Sequence, residues 1–124
     1  TLIKGYNMRH EDLDAWKKSI NIVTEIYKLT DKFPQSEIYG LTNQMRRSAV
    51  SIASNIAEGC ARFSDNDTLK FISISIGSIA ELQTQLIISE KLKYMENVNE
   101  LINKLEEVKR MLLGLTKYLK NKQI

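Results

Sequence analysis

The sequence is poor in the residues that build covalent links and metal sites. Cys60 is the only cysteine, so no disulfide can form within one chain, and this usage fits a reducing cytoplasm. His10 is the only histidine and lies in the acidic stretch HEDLD, residues 10–14. A zinc site would need further His or Cys ligands, and a di-iron bundle would need Glu-x-x-His pairs, of which the sequence has none. We therefore expect no metal and no cofactor, and we interpret the acidic residues as favourable charges at a helix start.

Motifs of catalysis and of membrane insertion are also lacking. A lone histidine provides no convincing Ser–His or Cys–His pair, so the serines and Cys60 are interpreted as small packing or helix-end residues. No glycine-rich phosphate loop is present. Charges interrupt the first fourteen residues, which predicts no signal peptide, and no apolar run is expected to be long enough to cross a bilayer. We expect no enzymatic activity, no catalytic residue and no membrane partner.

Positive charge is concentrated at the end of the chain. The formal net charge of +3 hides an uneven distribution, because residues 1–100 hold 12 Lys and Arg against 13 Asp and Glu, whereas residues 101–124 hold 6 against 2. A basic helix of this kind can attract phosphate groups, although a solvated helix face is the more common explanation. The charge pattern therefore indicates where a nucleic acid would bind if one does.

Apolar residues recur with a helical period in four successive segments. In the first segment they are spaced 3, 4, 3 and 4 residues apart, and a stripe at Leu13, Trp16, Ile20, Val23 and Tyr27 is expected to face the core. The second segment has a stripe at Met45, Ala49, Ile52 and Ile56. The sequence predicts one domain over residues 1–124, with helices at about 12–31, 42–58, 65–94 and 98–121.

Residues that start and stop helices lie at the predicted boundaries. Pro34 follows the first helix, and Gly59 is placed where a left-handed C-cap would end the second. Ser64 with Asp67 resembles a capping box for the third helix, and Asn97 begins the same pattern for the fourth. These capping and breaking residues support the helix assignment independently of the apolar spacing.

One segment also fits a strand. Residues 71–79, FISISIGSI, alternate apolar and small polar side chains, but no other segment has a strand period with which such a strand could pair. Helix is therefore preferred. Four helices with short connections predict an all-α, antiparallel up-down-up-down bundle with crossing angles near about 20°.

The outer sides of the second and third helices have an unusual composition. Glu58 lies opposite the core stripe of its helix, so its counter-charge must come from Arg62, another helix or another subunit. No charge occurs between Lys70 and Glu81, which leaves the third helix apolar on all sides, and Gly77 lies in its middle. We expect a homo-oligomer that covers these sides; the alternative is that the charges are ordinary surface residues and that Gly77 packs inside the monomer. The predicted interface residues are Arg47, Ser51, Ser54, Glu58, Arg62, Ile74, Gly77, Glu81 and Ile88.

Several short motifs resemble those of one known family. They are Trp16, FP at 33–34, YGLT at 39–42, RRSAVSIASNIAEG at 46–59 and GSIAEL at 77–82. From Asp12 to about Leu119 the chain resembles the four-helix-bundle proteins encoded in intervening sequences of bacterial 23S ribosomal RNA genes. The resemblance implies a small bundle that assembles as a ring, commonly a pentamer, with a role in binding the ribosomal RNA insert. Accessory proteins of diversity-generating retroelements, which are basic pentamers that bind nucleic acid and a reverse transcriptase, are more distantly similar.

Two functions of different class remain open. The first is an RNA-associated oligomer in which basic residues of the last helix form a rim, with Tyr118 available for stacking and with Arg46 and Arg47 as further contacts. The second is a scaffold in which the ring displays its surfaces to another protein, such as a nucleic-acid-processing protein, while the lysines maintain solubility. The candidate nucleic-acid contacts are Lys109, Arg110, Lys117, Lys120 and Lys122.

Overall fold

The computed structural model describes residues 8–122, and four α-helices make up most of them. They are α1 (Asp14–Thr30), α2 (Leu41–Cys60), α3 (Asp65–Lys91) and α4 (Asn99–Lys122). Short 3-10 helices at His10–Asp12 and Gln35–Glu37 precede α1 and α2. Residues 8–122 contain no strand, so the alternating segment 71–79 is helical as preferred. The predicted all-α class and the four predicted helices are confirmed.

Each helix packs against the two helices next to it in the cycle α1, α2, α3, α4 and back to α1. This arrangement is consistent with a four-helix bundle and encloses one apolar core. The core stripe predicted for α2 is correct, since Met45, Ala49, Ile52 and Ile56 are fully buried. Aliphatic side chains dominate the centre, and the largest fully buried ones are Ile22, Ile26, Met45, Ile52, Ile56, Ile72, Ile79, Leu82, Leu86, Leu105, Leu112 and Leu119.

The buried side of α1 differs from the prediction by about one residue. The stripe expected at 13, 16, 20, 23 and 27 lies at the edge of the core, and Tyr27 is 42% exposed. The side that packs inward is instead made of Ala15, Ser19, Ile22, Ile26 and Thr30. The predicted stripe was chosen from apolar residues and so left out Ser19 and Thr30. Their hydroxyls donate to carbonyls of their own helix, and both side chains can therefore be buried.

The junction of α2 and α3 contains one confirmed cap and one correction. Ser64 caps α3, because its hydroxyl accepts a hydrogen bond from the backbone N–H of Asp67 at 3.2 Å. Gly59, expected as a left-handed C-cap, lies inside α2 with no positive φ. A Cβ at Gly59 would lie 3.1 Å from Cβ of Phe71, and Thr68 donates to the Gly59 carbonyl at 2.7 Å. The glycine is therefore explained by the close approach of α3 and not by helix termination.

One helix meets the length and composition criteria for a membrane span. Helix α3 has an apolar window of mean hydropathy 1.4, of which 33% is buried inside the protein. The expectation that no apolar run is long enough was therefore wrong by this criterion. Serines, threonines and glutamines interrupt the helix, and two of its hydroxyls bond to α2: Ser75 donates to the Ile52 carbonyl at 2.9 Å, and Ser78 pairs with Ser51 at 2.8 Å.

Candidate nucleic-acid interface and self-association face

Helix α4 carries six Lys and Arg residues, and the structure separates them into paired and unpaired groups. Lys104 lies 2.6 Å from Glu25 on α1 and 3.5 Å from Glu100. The hydrogen bond that Lys104 donates to Glu25 raises the pKa of its ammonium. A second bridge joins Lys18 of α1 to Glu107 at 3.0 Å. The first half of α4 is therefore tied to α1 by opposite charges.

Lys122 lies in a different environment from the other predicted nucleic-acid contacts. Its ammonium is 3.3 Å from the carboxylate of Asp65, the first residue of α3, whose side chain is fully buried. The ammonium also lies 5.9 Å from the centre of the Tyr118 ring. A buried carboxylate needs a counter-charge, so Lys122 serves the packing of α4 on α3. Its ammonium is buried, which argues against the prediction that Lys122 contacts a nucleic acid.

The other four predicted contacts form one side of α4, which we name the basic face: Lys109, Arg110, Lys117 and Lys120. No residue between 8 and 122 forms an ion pair with any of them. Lys109 is half-buried and the other three are exposed. At about 100° per residue the four side chains fall within roughly 100° of the helix circumference and extend over about 16 Å of its length.

A shallow groove between α3 and α4 borders the basic face. Lys120 and Lys70 line it together with Ile74 and Leu113, which are 49% and 48% exposed. Lys70 lies 3.8 Å from Asp67 and is itself largely exposed. Two cations and several apolar side chains therefore line this groove together, and one of the apolar side chains is Ile74, a predicted interface residue.

The outward side of α3, which we name the α3 face, is nearly free of charge. It begins after Lys70, and Glu81 is the one charged residue between Lys70 and Glu90. A Cβ built on Gly77 meets no atom within 4 Å, which rules out the alternative that this glycine serves packing inside the protomer. The exposed residues of the α3 face are Ser73, Ile74, Gly77, Ala80, Glu81, Thr84, Ile87 and Ile88.

The predicted residues of α2 lie partly on a second groove, on the α1 side. Arg47, Ser51 and Ser54 line it, whereas Glu58 does not. Glu58 finds its cation within the chain, because Arg62 lies 3.7 Å away while its guanidinium stacks on the Phe71 ring at 4.5 Å. The nine predicted interface residues are therefore distributed over more than one surface.

Arg46, which the sequence left open as a nucleic-acid contact, is engaged at the end of α1. It donates to the Thr30 hydroxyl at 2.9 Å and to the Asp31 carboxylate at 2.8 Å. Its guanidinium also lies 4.6 Å from the centre of the Tyr27 ring. Arg46 therefore caps α1, whereas Arg47 is exposed and forms no ion pair with a described residue.

Residues that could support other chemistry are scattered. His10 lies 3.4 Å from Glu11 and packs edge-on against Trp16, and the part of the chain from 8 to 122 holds no group of three His, Cys, Asp or Glu side chains suited to a metal. Cys60 is buried at the last residue of α2. Sequence reasoning missed Phe63, which is 86% exposed between α2 and α3. A phenylalanine just before a helix N-cap more often packs on that helix, so the sequence alone carried no signal of its exposure.

These features define a small all-α protein of four packed helices with an unpaired basic face on the last helix. The family model described as 23S rRNA-intervening sequence protein matches residues 11–114. The chain therefore belongs to the 23S rRNA-intervening sequence protein family.

The fold is also similar to that of a solved structure. A crystal structure of a protein of unknown function from the S23 ribosomal protein family of Bacteroides thetaiotaomicron superposes with a TM-score of 0.74. The two chains share 21% sequence identity, and the match covers 83% of this chain and 98% of that one. No curated protein matches the sequence.

Proposed function

We propose that this chain is a non-enzymatic bacterial protein of the cytoplasm that associates with itself and binds RNA through the basic face of α4. The observation that carries the proposal is the separation of charges on α4. Lys104 and Lys122 are paired with carboxylates of the same chain, whereas the four cations of the basic face have no acidic partner among the described residues. Unpaired cations on one side of a helix attract phosphate groups with little competition from neighbouring carboxylates.

The contacts between helices support the antiparallel up-down-up-down arrangement. Between α2 and α3, residue 52 bonds to 75 and residue 45 to 89, so the numbers fall along one helix as they rise along the other. Between α1 and α4, residue 25 pairs with 104 and residue 18 with 107, so the numbers again run in opposite directions along the two helices. Such an arrangement leaves each helix with one outer side, including the apolar outer side of α3.

Self-association would remove the α3 face from water. An exposed apolar strip of this kind is uncommon on a monomer, and a lipid partner is disfavoured because Glu81 lies in the middle of the strip. Predicted residues on two different grooves suit a contact between unlike surfaces, and such contacts form a ring when the rotation from copy to copy closes. A ring, commonly a pentamer, is what the family resemblance implies. The mass of the native assembly tests this part of the proposal, and a monomer at micromolar concentration would contradict it.

The salt dependence of RNA binding tests the basic face. Each phosphate contact to a single strand contributes about −0.7 to the slope of log affinity against log salt, so four cations predict a slope near −2.8. Affinity for a labelled single-stranded RNA should therefore fall about 50-fold between 50 and 200 mM salt. The variant Arg110→Gln, Lys117→Gln, Lys120→Gln should reduce that fall to about threefold. Lys122 is left in place because its removal would isolate the buried Asp65.

A control of equal charge separates the basic face from net charge. Lys17, Lys28 and Lys32 are exposed on or just after α1 and have no ion-pair partner in the described part of the chain. Replacing these three by glutamine removes the same charge and should leave the salt slope close to that of the unmodified protein. Equal slopes in both triple variants would show that the basic face is not the site.

A second candidate function is a scaffold that binds another protein. The observation that favours it is the apolar α3 face, which could be covered by a nucleic-acid-processing protein as well as by a further copy. In that case RNA affinity is absent even at 50 mM salt. RNA binding at low salt together with an oligomeric mass favours the first function.

A further inference from the structure

The outward side of α2 carries a narrow strip of exposed residues, which we name the α2 strip: Asn43, Arg47, Val50, Ser54 and Glu58. Successive members are 4, 3, 4 and 4 residues apart, so at about 100° per residue they fall within roughly 80° of the helix circumference. The strip lies opposite the core stripe that α2 buries. It therefore presents one cation and one carboxylate to the outside of the bundle.

The charges of the α2 strip match those on the outward side of α3 in spacing and in order. Arg47 and Glu58 are eleven residues apart. Lys70, at the start of the α3 face, and Glu81 are also eleven residues apart. Each separation is about 16 Å along its helix, and in both helices the cation comes first. Two such helices side by side therefore bring opposite charges together if they run antiparallel, and like charges together if they run parallel.

Contacts within the chain leave these four charges largely unused. Arg47 and Glu81 form no ion pair with any residue from 8 to 122. Glu58 lies 3.7 Å from the cation that follows it by one turn, and Lys70 lies 3.8 Å from Asp67. Both of these contacts are solvent-exposed and contribute little. The four charges are therefore available to a second molecule.

Side-chain size selects the same antiparallel register as charge does. With both charge pairs in place, Ile74 falls beside Ser54, and Val50 falls beside Gly77. Val50 and Ile74 are 39% and 49% exposed, so each has apolar surface to bury. Gly77 has no atom within 4 Å of the position a Cβ would take, which leaves space for Val50. Each large side chain thus faces a small residue.

We propose that the α3 face of one copy packs antiparallel on the α2 strip of the next copy. Glu81 of the first copy then pairs with Arg47 of the second, and Lys70 pairs with Glu58. The proposal rests on the self-association proposed above and names the surface that covers the α3 face. A second copy is the occupant because the two surfaces are complementary in charge and in size and belong to the same chain.

The register also sets the relative height of neighbouring copies. Within one chain, hydrogen bonds align residue 52 of α2 with 75 of α3, and residue 59 with 68. Residues 47 and 81 are therefore at about the same height in one protomer. Contact between these two residues in different copies needs almost no displacement along the helices. Copies related by rotation without displacement close into a ring, whereas displacement would produce a filament.

Charge reversal tests the pair between Arg47 and Glu81. Either Arg47→Glu or Glu81→Arg places like charges against each other and should weaken association at least about tenfold, measured as a lower native mass at micromolar concentration. The double variant Arg47→Glu, Glu81→Arg should regain the mass of the unmodified protein. Glu90→Arg makes the same charge change at an exposed position of α3 outside the α3 face, and as the matched control it should leave the mass unchanged.

Mixing the two single variants tests whether the pair joins different chains. Each variant alone opposes like charges at every contact. In the mixture, Glu81→Arg of one chain faces Arg47→Glu of the other, and the unmodified Glu81 and Arg47 face each other at the next contact. Native mass spectrometry should therefore detect complexes that contain both chains. Absence of mixed complexes would contradict a pair between copies.

A disulfide tests the register independently of charge. Ser54 and Ser73 are small, exposed and face each other in the proposed contact. Oxidation of Ser54→Cys, Ser73→Cys should join successive copies into species larger than a dimer on a non-reducing gel, because each chain contributes to two contacts. Each single variant should give no such species, which also controls for the buried Cys60. A disulfide dimer of Ser73→Cys alone would place two α3 helices together and overturn the proposed contact.

The outcomes distinguish this contact from self-association in general. An unmodified protein that is monomeric at micromolar concentration contradicts both. An oligomer that keeps its mass in both charge reversals and forms no disulfide-linked species contradicts only this contact. Loss of mass in the single variants without recovery in the double variant also overturns the pair. If Arg47→Glu lowers RNA affinity and leaves the mass unchanged, the α2 strip contacts RNA and the proposed contact is wrong.

Discussion

Replacement of Gly77 by alanine measures whether the α3 face is open or covered. Gly77 lies in the middle of α3, is exposed and has no atom within 4 Å of the position a Cβ would take. Gly114 has the same properties in α4 and provides the matched control. In an exposed helix interior, glycine is about 1 kcal/mol less favourable than alanine. On a face open to water both substitutions should therefore stabilise the protein.

The expected shift in melting temperature follows from the size of the chain. An unfolding entropy of about 2.1 cal/mol/K per residue gives roughly 260 cal/mol/K for 124 residues, so 1 kcal/mol corresponds to about 4 °C. We expect Gly114→Ala to raise the melting temperature by about 4 °C. For Gly77→Ala we expect no such increase, because a second copy that packs closely on the glycine would collide with the added methyl group.

Calorimetry at several protein concentrations, combined with the native mass, is the appropriate assay. Association makes the melting temperature depend on concentration, and Gly77→Ala should shift that dependence and the mass towards smaller species. The reasoning is refuted if Gly77→Ala stabilises as much as Gly114→Ala and leaves the mass unchanged. In that case nothing approaches the α3 face closely, and self-association must be sought on another surface.

Three further predictions concern contacts inside the protomer. Gly59→Ala should destabilise by about 1–3 kcal/mol in urea unfolding, since its methyl group would lie 3.1 Å from a side-chain carbon of α3; an increase in stability would contradict that close contact. Lys122→Met should cost about 3 kcal/mol by leaving the carboxylate of Asp65 buried without its cation, and adding Asp65→Asn should restore most of the loss, whereas additive losses would argue against the pair. Tyr94→Phe should lower the melting temperature at neutral pH, because Tyr94 donates to Glu37 at 2.9 Å. That hydrogen bond raises the pKa of Tyr94 above 10.0, so its contribution is present below pH 10.0 and lost above it, and unfolding curves of the two proteins should converge at high pH; a constant difference would exclude this linkage.

The sequence by itself was sufficient for the helices. Spacing of apolar residues by 3 and 4 identified all four, and the Ser64 cap was correct in type and position because a hydroxyl and a backbone N–H three residues away interact within one turn. The core stripe of α2 was also correct, since its residues are apolar and fully buried. Local interactions of this kind depend only on neighbours along the chain, which the sequence displays directly.

Tertiary structure decided which charges and which glycines have structural roles. Lys122 and Asp65 are 57 positions apart, and nothing in either neighbourhood indicated that one would neutralise the other. Gly59 looked like a helix terminator until the approach of α3 explained it, and Gly77 turned out to face open space. The inward side of α1 was misjudged for a related reason, because hydroxyl groups that bond within their helix can be buried.

The candidate site, too, could be predicted from the sequence only in part. Enrichment of cations near the end of the chain was visible in the sequence, but only the packing of α4 on α1 and α3 separated the paired cations from the basic face. Helical periodicity is a property of the local chain, whereas pairing, burial and exposure are set by residues that folding brings together from distant positions.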